Sequence, residues 1–311
     1  MNQKVRILAA IAVATSIGLI ACKKSSKGEA DYSIQLATQS DDHSRVSSDM
    51  EAADVELMDA IESNASFSGR LDGTSGITAL CNATATMDST ATVRRLTVVF
   101  NGANCLGNRT RTGTVVMSMP LATRWKDAGA VMTATITNLK IVRVADGKSI
   151  TINGTRVLTN VSGGRLIQLA TLQSITHTVT SNNMSVTFDD GTTRQWQVAR
   201  KRVYTYNNGA VLTITGTHTE GSTTGVAEWG TNRLGNTFVT AITQPLILRQ
   251  DCDFRITSGQ VQHTRLLADA TVTFGLNSTG APTSCPGANP YYFKLEWTGA
   301  AGNSHTLIYP Y

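Results

Sequence analysis

Thr193-Arg194-Gln195-Trp196-Gln197-Val198-Ala199-Arg200-Lys201-Arg202-Val203-Tyr204-Thr205-Tyr206 runs through Asn207-Asn208-Gly209-Ala210 into Val211-Leu212-Thr213-Ile214-Thr215. Side chains alternate with period two on both flanks, as they do in strands with one buried and one wet face. Asn208-Gly209 between them is hairpin punctuation. The same grammar recurs along the chain. Thr133, Thr135 and Thr137 alternate with Met132, Ala134 and Ile136, and Asp146-Gly147, Asn182-Asn183 and Asp190-Gly191 read as further hairpin turns. This spacing gives on the order of fifteen strands. No helical pattern long enough for a βαβ crossover interrupts residues 77–311, which excludes a doubly wound parallel sheet. The expected fold is all-β: a domain over residues 65–311 built as a long antiparallel meander. It should curl into an open barrel or a two-layer sandwich, because a flat sheet of so many strands is unusual.

Composition agrees. The 311 residues are 41% hydrophobic, only 16% charged, and rich in threonine, which excludes a coiled coil or a charge-rich disordered chain. Charge is unevenly placed. Between Cys22 and Glu62 stand ten acids and four bases, whereas from Ser63 onward bases exceed acids by nine. A basic β domain beside an acidic segment has two readings. It binds a polyanion or acidic glycan, or it docks on its own acidic segment.

The first 21 residues read as a targeting segment. Lys4 and Arg6 precede an apolar run, Ile7 to Ile20, too short for a stable membrane span. It ends Leu19-Ile20-Ala21-Cys22, a lipobox, so Cys22 is the expected lipidation site, carrying acyl chains that hold the protein to a membrane. Lys23 in place of Asp lacks the inner-membrane retention signal, and no acidic run follows Cys22. The expected address is the outer membrane, periplasmic face. Residues 22–47 read as a flexible polar tether. Residues 48–63 read as one short acidic amphipathic helix: Ser48 and Glu51 make a capping box, and Met50, Ala53, Leu57 and Ile61 form one apolar stripe.

Four further cysteines, Cys81, Cys105, Cys252 and Cys285, imply disulfides in an exported chain. Three connectivities exist. In each half, Cys81 to Cys105 and Cys252 to Cys285, the second cysteine follows a hairpin returning toward the first, which favours local pairs.

The lipobox, the helix Ser48–Glu62, and Thr97 to Cys105 followed by Gly107-Asn108-Arg109-Thr110-Arg111-Thr112-Gly113 carry a resemblance. So do Phe188-Asp189-Asp190-Gly191 leading to Trp196, and the second cysteine pair. On these residues the chain resembles uncharacterised outer-membrane lipoproteins of Bacteroidota. The resemblance implies a sheet-rich lipoprotein and no particular activity.

Catalytic motifs are missing. The five histidines have no metal-ligand spacing, and no P-loop, no nucleophile elbow and no EF-hand loop appears. No metal or cofactor is expected, nor is nucleic acid as a partner. His43 falls in the tether, and His218 reads as a core histidine. The most suggestive surface is the opening strand, where Arg194, Trp196, Arg200, Arg202, Tyr204 and Tyr206 share a face. Arginines between aromatics suit sugars and anions, and equally suit a ladder covering a sheet face. The expected function is a lipid-anchored, non-enzymatic binding or structural module. The alternatives are a carrier or chaperone for a lipid or other amphiphile, and a cryptic glycan hydrolase. A deep apolar cavity would favour the carrier, a cleft with two facing carboxylates or a Ser-His-Asp cluster the hydrolase, and a filled core with no cleft would leave the first reading.

Overall fold

The structure, a computed structural model, describes residues 27–68, 80–144, 146–252, 254–264, 266, 268–283, 285, 290–299 and 302–311. The targeting segment and Cys22 lie outside them. One helix, α1 (Lys27–Ser63), opens the fold and ends in a short helical turn, Ala65–Ser68. Among the described residues fifteen strands follow: β1 (Ala83–Ser89), β2 (Val93–Ala103), β3 (Arg109–Pro120), β4 (Ala130–Arg143), β5 (Ser149–Asn160), β6 (Ser174–Phe188), β7 (Thr193–Tyr206), β8 (Ala210–Gly216), β9 (His218–Glu220), β10 (Thr223–Thr231), β11 (Thr237–Arg249), β12 (Ile256–Thr264), β13 (Ala270–Leu276), β14 (Tyr292–Thr298) and β15 (Ser304–Pro310).

They form a single antiparallel sheet in chain order, apart from one detour. The first half of β7 pairs with β10 and its second half with β8; β11 does the same from the other side. The strands β8 and β10 thus share one slot, and β9 is a short flap pairing only with β10. The all-β meander is as the alternation requires, and of the two expected forms it is the rolled, barrel-like one.

The curl has a visible cause. From β3/β4 to β6/β7 every successive pair breaks register once in mid-strand. Such bulges bend a sheet and increase its twist. Two glycines make room for them. Gly113, at φ 115°, faces the Asn138 carbonyl, and Gly154, at φ 134°, faces the Asn183 carbonyl; a Cβ at either would run into that oxygen. Asn182-Asn183 is therefore a bulge inside β6 and not the hairpin turn its sequence suggests. The other three turn signals do join consecutive strands.

The larger difference concerns the N-terminal segment. Lys27–Ser63 is one helix of 37 residues, about 55 Å long at 1.5 Å per residue, so most of the expected tether is helical. It runs inside the rolled sheet. Met50, Leu57 and Ile61 pack on Leu96, Val98, Met117 and Ile136 of the strands. The helix is also buried where it is polar: Gln39, Asp42, His43, Ser47, Glu51 and Asp54 are all under a tenth exposed. An apolar stripe is legible only over residues 48–63, because the preceding part is held by charge pairing. No described helix is long and apolar enough to cross a membrane. Both cysteine pairs form locally, Cys81–Cys105 and Cys252–Cys285, each with Cα atoms 5.2 Å apart.

Candidate functional site

The arginine strand faces inward. Alternation along β7 turns Arg194, Trp196, Arg200, Arg202 and Tyr204 toward α1, where all five are at most 2% exposed; Tyr206, at the strand end, is 46% exposed. As an outward ligand-binding face this set is therefore corrected. Its occupant is the chain's own acidic helix, the second of the two readings that the charge pattern allowed.

Partners meet in register along the helix. Glu228 of β10 accepts from Arg194 Nη2 at 2.6 Å and from Arg200, with His43 Nδ1 at 3.1 Å and Ser47 Oγ at 3.3 Å. One turn on, Glu51 Oε1 accepts from Arg200 Nη1 at 3.1 Å and Arg202 Nη2 at 2.7 Å. A further turn on, Asp54 accepts from Arg202 Nη2 at 2.7 Å and Arg156 Nη1 at 2.8 Å. Burial works to raise the carboxyls of Glu228 and Asp54. It is outweighed at Glu228 by His43, Arg200 and Arg194, which hold it well below the usual carboxylate range. Arg156 and Arg202 likewise hold Asp54 down. All of these groups are screened from solvent, so this network is an internal clasp and not a surface for substrates.

His43, expected in a tether, is fully buried beside Glu228 and meets His263 edge-on at 5.5 Å. His218, expected in the core, is a third exposed and stacks on Trp229 at 4.0 Å. The cause is the detour at β8–β10, which takes β9 off the main sheet.

The rolled sheet leaves one stripe of α1 less covered. Ile34, Asp41, Ser48 and Val55 recur every seven residues, with Ala52 and Asp59 beside them, and all are half-buried or exposed. Along this stripe lies a cleft of about 620 Å³ between the helix, the β2–β3 and β4–β5 turns, and Phe254, Arg255 and Tyr311. A second hollow of about 370 Å³ shares Glu56 and Phe254 with it and continues toward Glu62 and Leu166.

Arginine dominates the cleft: Arg45, Arg109, Arg111, Arg143 and Arg255 line it, against Asp49, Glu56 and Asp146. Each of those acids has an arginine. Arg109 Nε donates to Asp49 at 2.9 Å, Arg111 Nη2 to Glu56 at 2.7 Å, and Arg143 Nε to Asp146 at 2.9 Å. The Arg143 hydrogen bond brings the Asp146 carboxyl down to about 2. In the neighbouring hollow, burial pushes Glu62 up to about 7, but both its oxygens are engaged, accepting from the Leu166 N–H at 2.8 Å and the Ile167 N–H at 3.3 Å. Glu62 thus ties the helix end to the β5–β6 connection. Sequence reasoning missed this cleft, since its walls come from distant turns, and Ile34, Asp41, Ser48 and Val55 along the open stripe share no side-chain property that would mark it.

No protein-family model matches the chain, and no curated protein or solved structure matches it either.

Proposed function

We propose that this chain is a lipid-anchored, non-enzymatic binding module of the outer membrane, held through Cys22 with its β domain on the periplasmic side. It uses the cleft along the open stripe of α1 as its ligand seat. The carrying observation is that α1 fills the rolled sheet while an arginine-lined cleft of about 620 Å³ stays open beside it. A carrier of the lipocalin kind keeps its interior for the ligand, and here the interior is taken by the helix. A glycan hydrolase needs a carboxyl poised to give up a proton, and the cleft's carboxylates are matched to arginines. The lipobox and the resemblance to Bacteroidota lipoproteins support the address.

Native mass spectrometry of the full chain, extracted from its own membrane in mild detergent, tests the reading. The expected result is the acylated protein carrying a non-covalent small-molecule adduct. Turnover of envelope glycans by the purified chain, or an acylated protein with no adduct, would overturn it.

A further inference from the structure

Helix α1 enters the rolled sheet at one end and stops at the other. At its far end Glu62 is tied to the β5–β6 connection, and Arg94 donates to the carbonyls of Ser66 and Leu121, which joins the following helical turn to the β3–β4 connection. At its near end the partners are the opposite set of turns. Gln35 accepts from Asn236 at 3.5 Å and Asp42 from Arg233 at 2.8 Å, both on the β10–β11 turn, and Arg45 reaches Asp189 of the β6–β7 turn at 3.8 Å.

Exposed aliphatic side chains stand at this near end. Ile34 on the helix is 65% exposed and Leu234 on the β10–β11 turn 46%. Leu106 and Val144, on the β2–β3 and β4–β5 turns, are exposed as well, and the Val144 N–H donates to the Asn108 carbonyl at 3.1 Å, which joins those two turns. Charged side chains beside them are matched: Arg233 bridges Asp42 and Asp190, and Arg143 pairs with Asp146. What the near end offers to a surface is therefore apolar.

The chain itself limits how far this end can stand from an anchor. Lys27 is five residues after Cys22, a reach of at most about 18 Å when fully extended. Ile34 lies about 10 Å further along the helix, whereas Glu62 lies about 52 Å from Lys27.

We propose that the near end of the barrel is a membrane-facing surface, with Ile34 and Leu234 lying in the headgroup region of the bilayer and Leu106 and Val144 flanking them. This deepens the binding-module reading and rests on its anchor at Cys22. So few aliphatic side chains orient the protein; the acyl chains hold it.

Hydroxyl-radical footprinting of the full acylated chain, purified from its own membrane and reconstituted at low density on vesicles of phosphatidylethanolamine and phosphatidylglycerol, tests the assignment. Two pairs of side chains matched in type and exposure make the comparison internal: Ile34 against Ile167, 65% and 73% exposed, and Leu234 against Leu172, both 46% exposed. Ile167 and Leu172 belong to the β5–β6 connection at the far end. On vesicles Ile34 and Leu234 should be oxidised at least about threefold less than their counterparts, because side chains in the headgroup region lose contact with water. In Cys22→Ala, free in buffer, the members of each pair should be oxidised alike. Equal oxidation within either pair on vesicles, or the same imbalance in the free Cys22→Ala chain, would overturn the proposal and leave the anchor standing. A purified chain that fails to float with the vesicles would remove the anchor, and the proposal with it.

Discussion

Glu228 is the residue on which the interior most depends. It is an acid in mid-strand, fully buried, and it answers two arginines and a histidine at once. Glu228→Gln would leave Arg194 and Arg200 buried with one anion fewer, and should destabilise by about 3–5 kcal/mol in urea or guanidinium melts. Replacing a whole charged cluster with apolar residues need not cost as much, because desolvation is then relieved as well. His177 gives the molecule an acid limit. Buried between Trp125 and Tyr204, at 5.1 and 5.2 Å, it is brought down to about 3, mainly by burial and secondarily by Arg202. In the unfolded chain it takes a proton near pH 6.5. Between about 6.5 and 3 the unfolded state therefore binds more protons, and stability falls as pH falls. His177→Phe keeps the ring and removes the titration. Its stability curve should be flatter below pH 6.5 than that of the wild type, by on the order of 2 kcal/mol at pH 4.5; equal slopes in the two chemical-denaturation series would refute this.

At the scale of elements, α1 belongs to the core of the β domain and is not an appendage docked on it. Its apolar side alone would not hold a helix of this length, since much of its buried surface is polar. What holds it is the match between Glu51 and Asp54 on successive turns and Arg156, Arg200 and Arg202 on β5 and β7. A chain lacking residues 27–63 should therefore fail to fold, with those arginines facing an empty interior. Loss of the near-ultraviolet dichroism of Trp125 and Trp196, both buried, would report it. A cooperative melt of that truncated chain would show instead that the sheet stands by itself.

For the whole molecule, the proposed anchor and the fold should separate. Helix α1 begins at Lys27, five residues after Cys22. Cys22→Ala removes the thiol proposed to carry the acyl chains and touches no described contact. The variant should leave the membrane fraction and melt with the delipidated wild type; retention in the outer membrane would mean the sheet itself is embedded. The outer face of the sheet argues for release. Thr133, Thr135 and Thr137 on β4 and Thr176, Thr178 and Thr180 on β6 point away from the buried row, whereas an embedded barrel presents an apolar band outward.

Much of this was legible along the chain. Period-two alternation and the Asn208-Gly209, Asp146-Gly147 and Asp190-Gly191 turns determined an antiparallel meander, because neighbouring strands joined by tight turns have little choice of partner. The pairing of Cys81 with Cys105, and of Cys252 with Cys285, followed from the same local hairpins. Alternation grouped Arg194, Trp196, Arg200, Arg202 and Tyr204 on one face of β7, but that this face was inside, and what lay against it, was decided by the tertiary structure. Arg194, Arg200 and Arg202 read as a face waiting for an anion; the tertiary structure supplied it to Arg200 and Arg202 from residues about 150 positions earlier, and to Arg194 from Glu228 of β10. Charge pairs across that separation leave no periodic trace, so Lys27–Ser47 looked like solvated chain. The Asn182-Asn183 bulge was hidden for a related reason: a turn and a bulge use the same residues, and only the neighbouring strand with its Gly154 decides between them. The cleft exists because the sheet rolls far enough to cover most of α1 and stops short of one stripe.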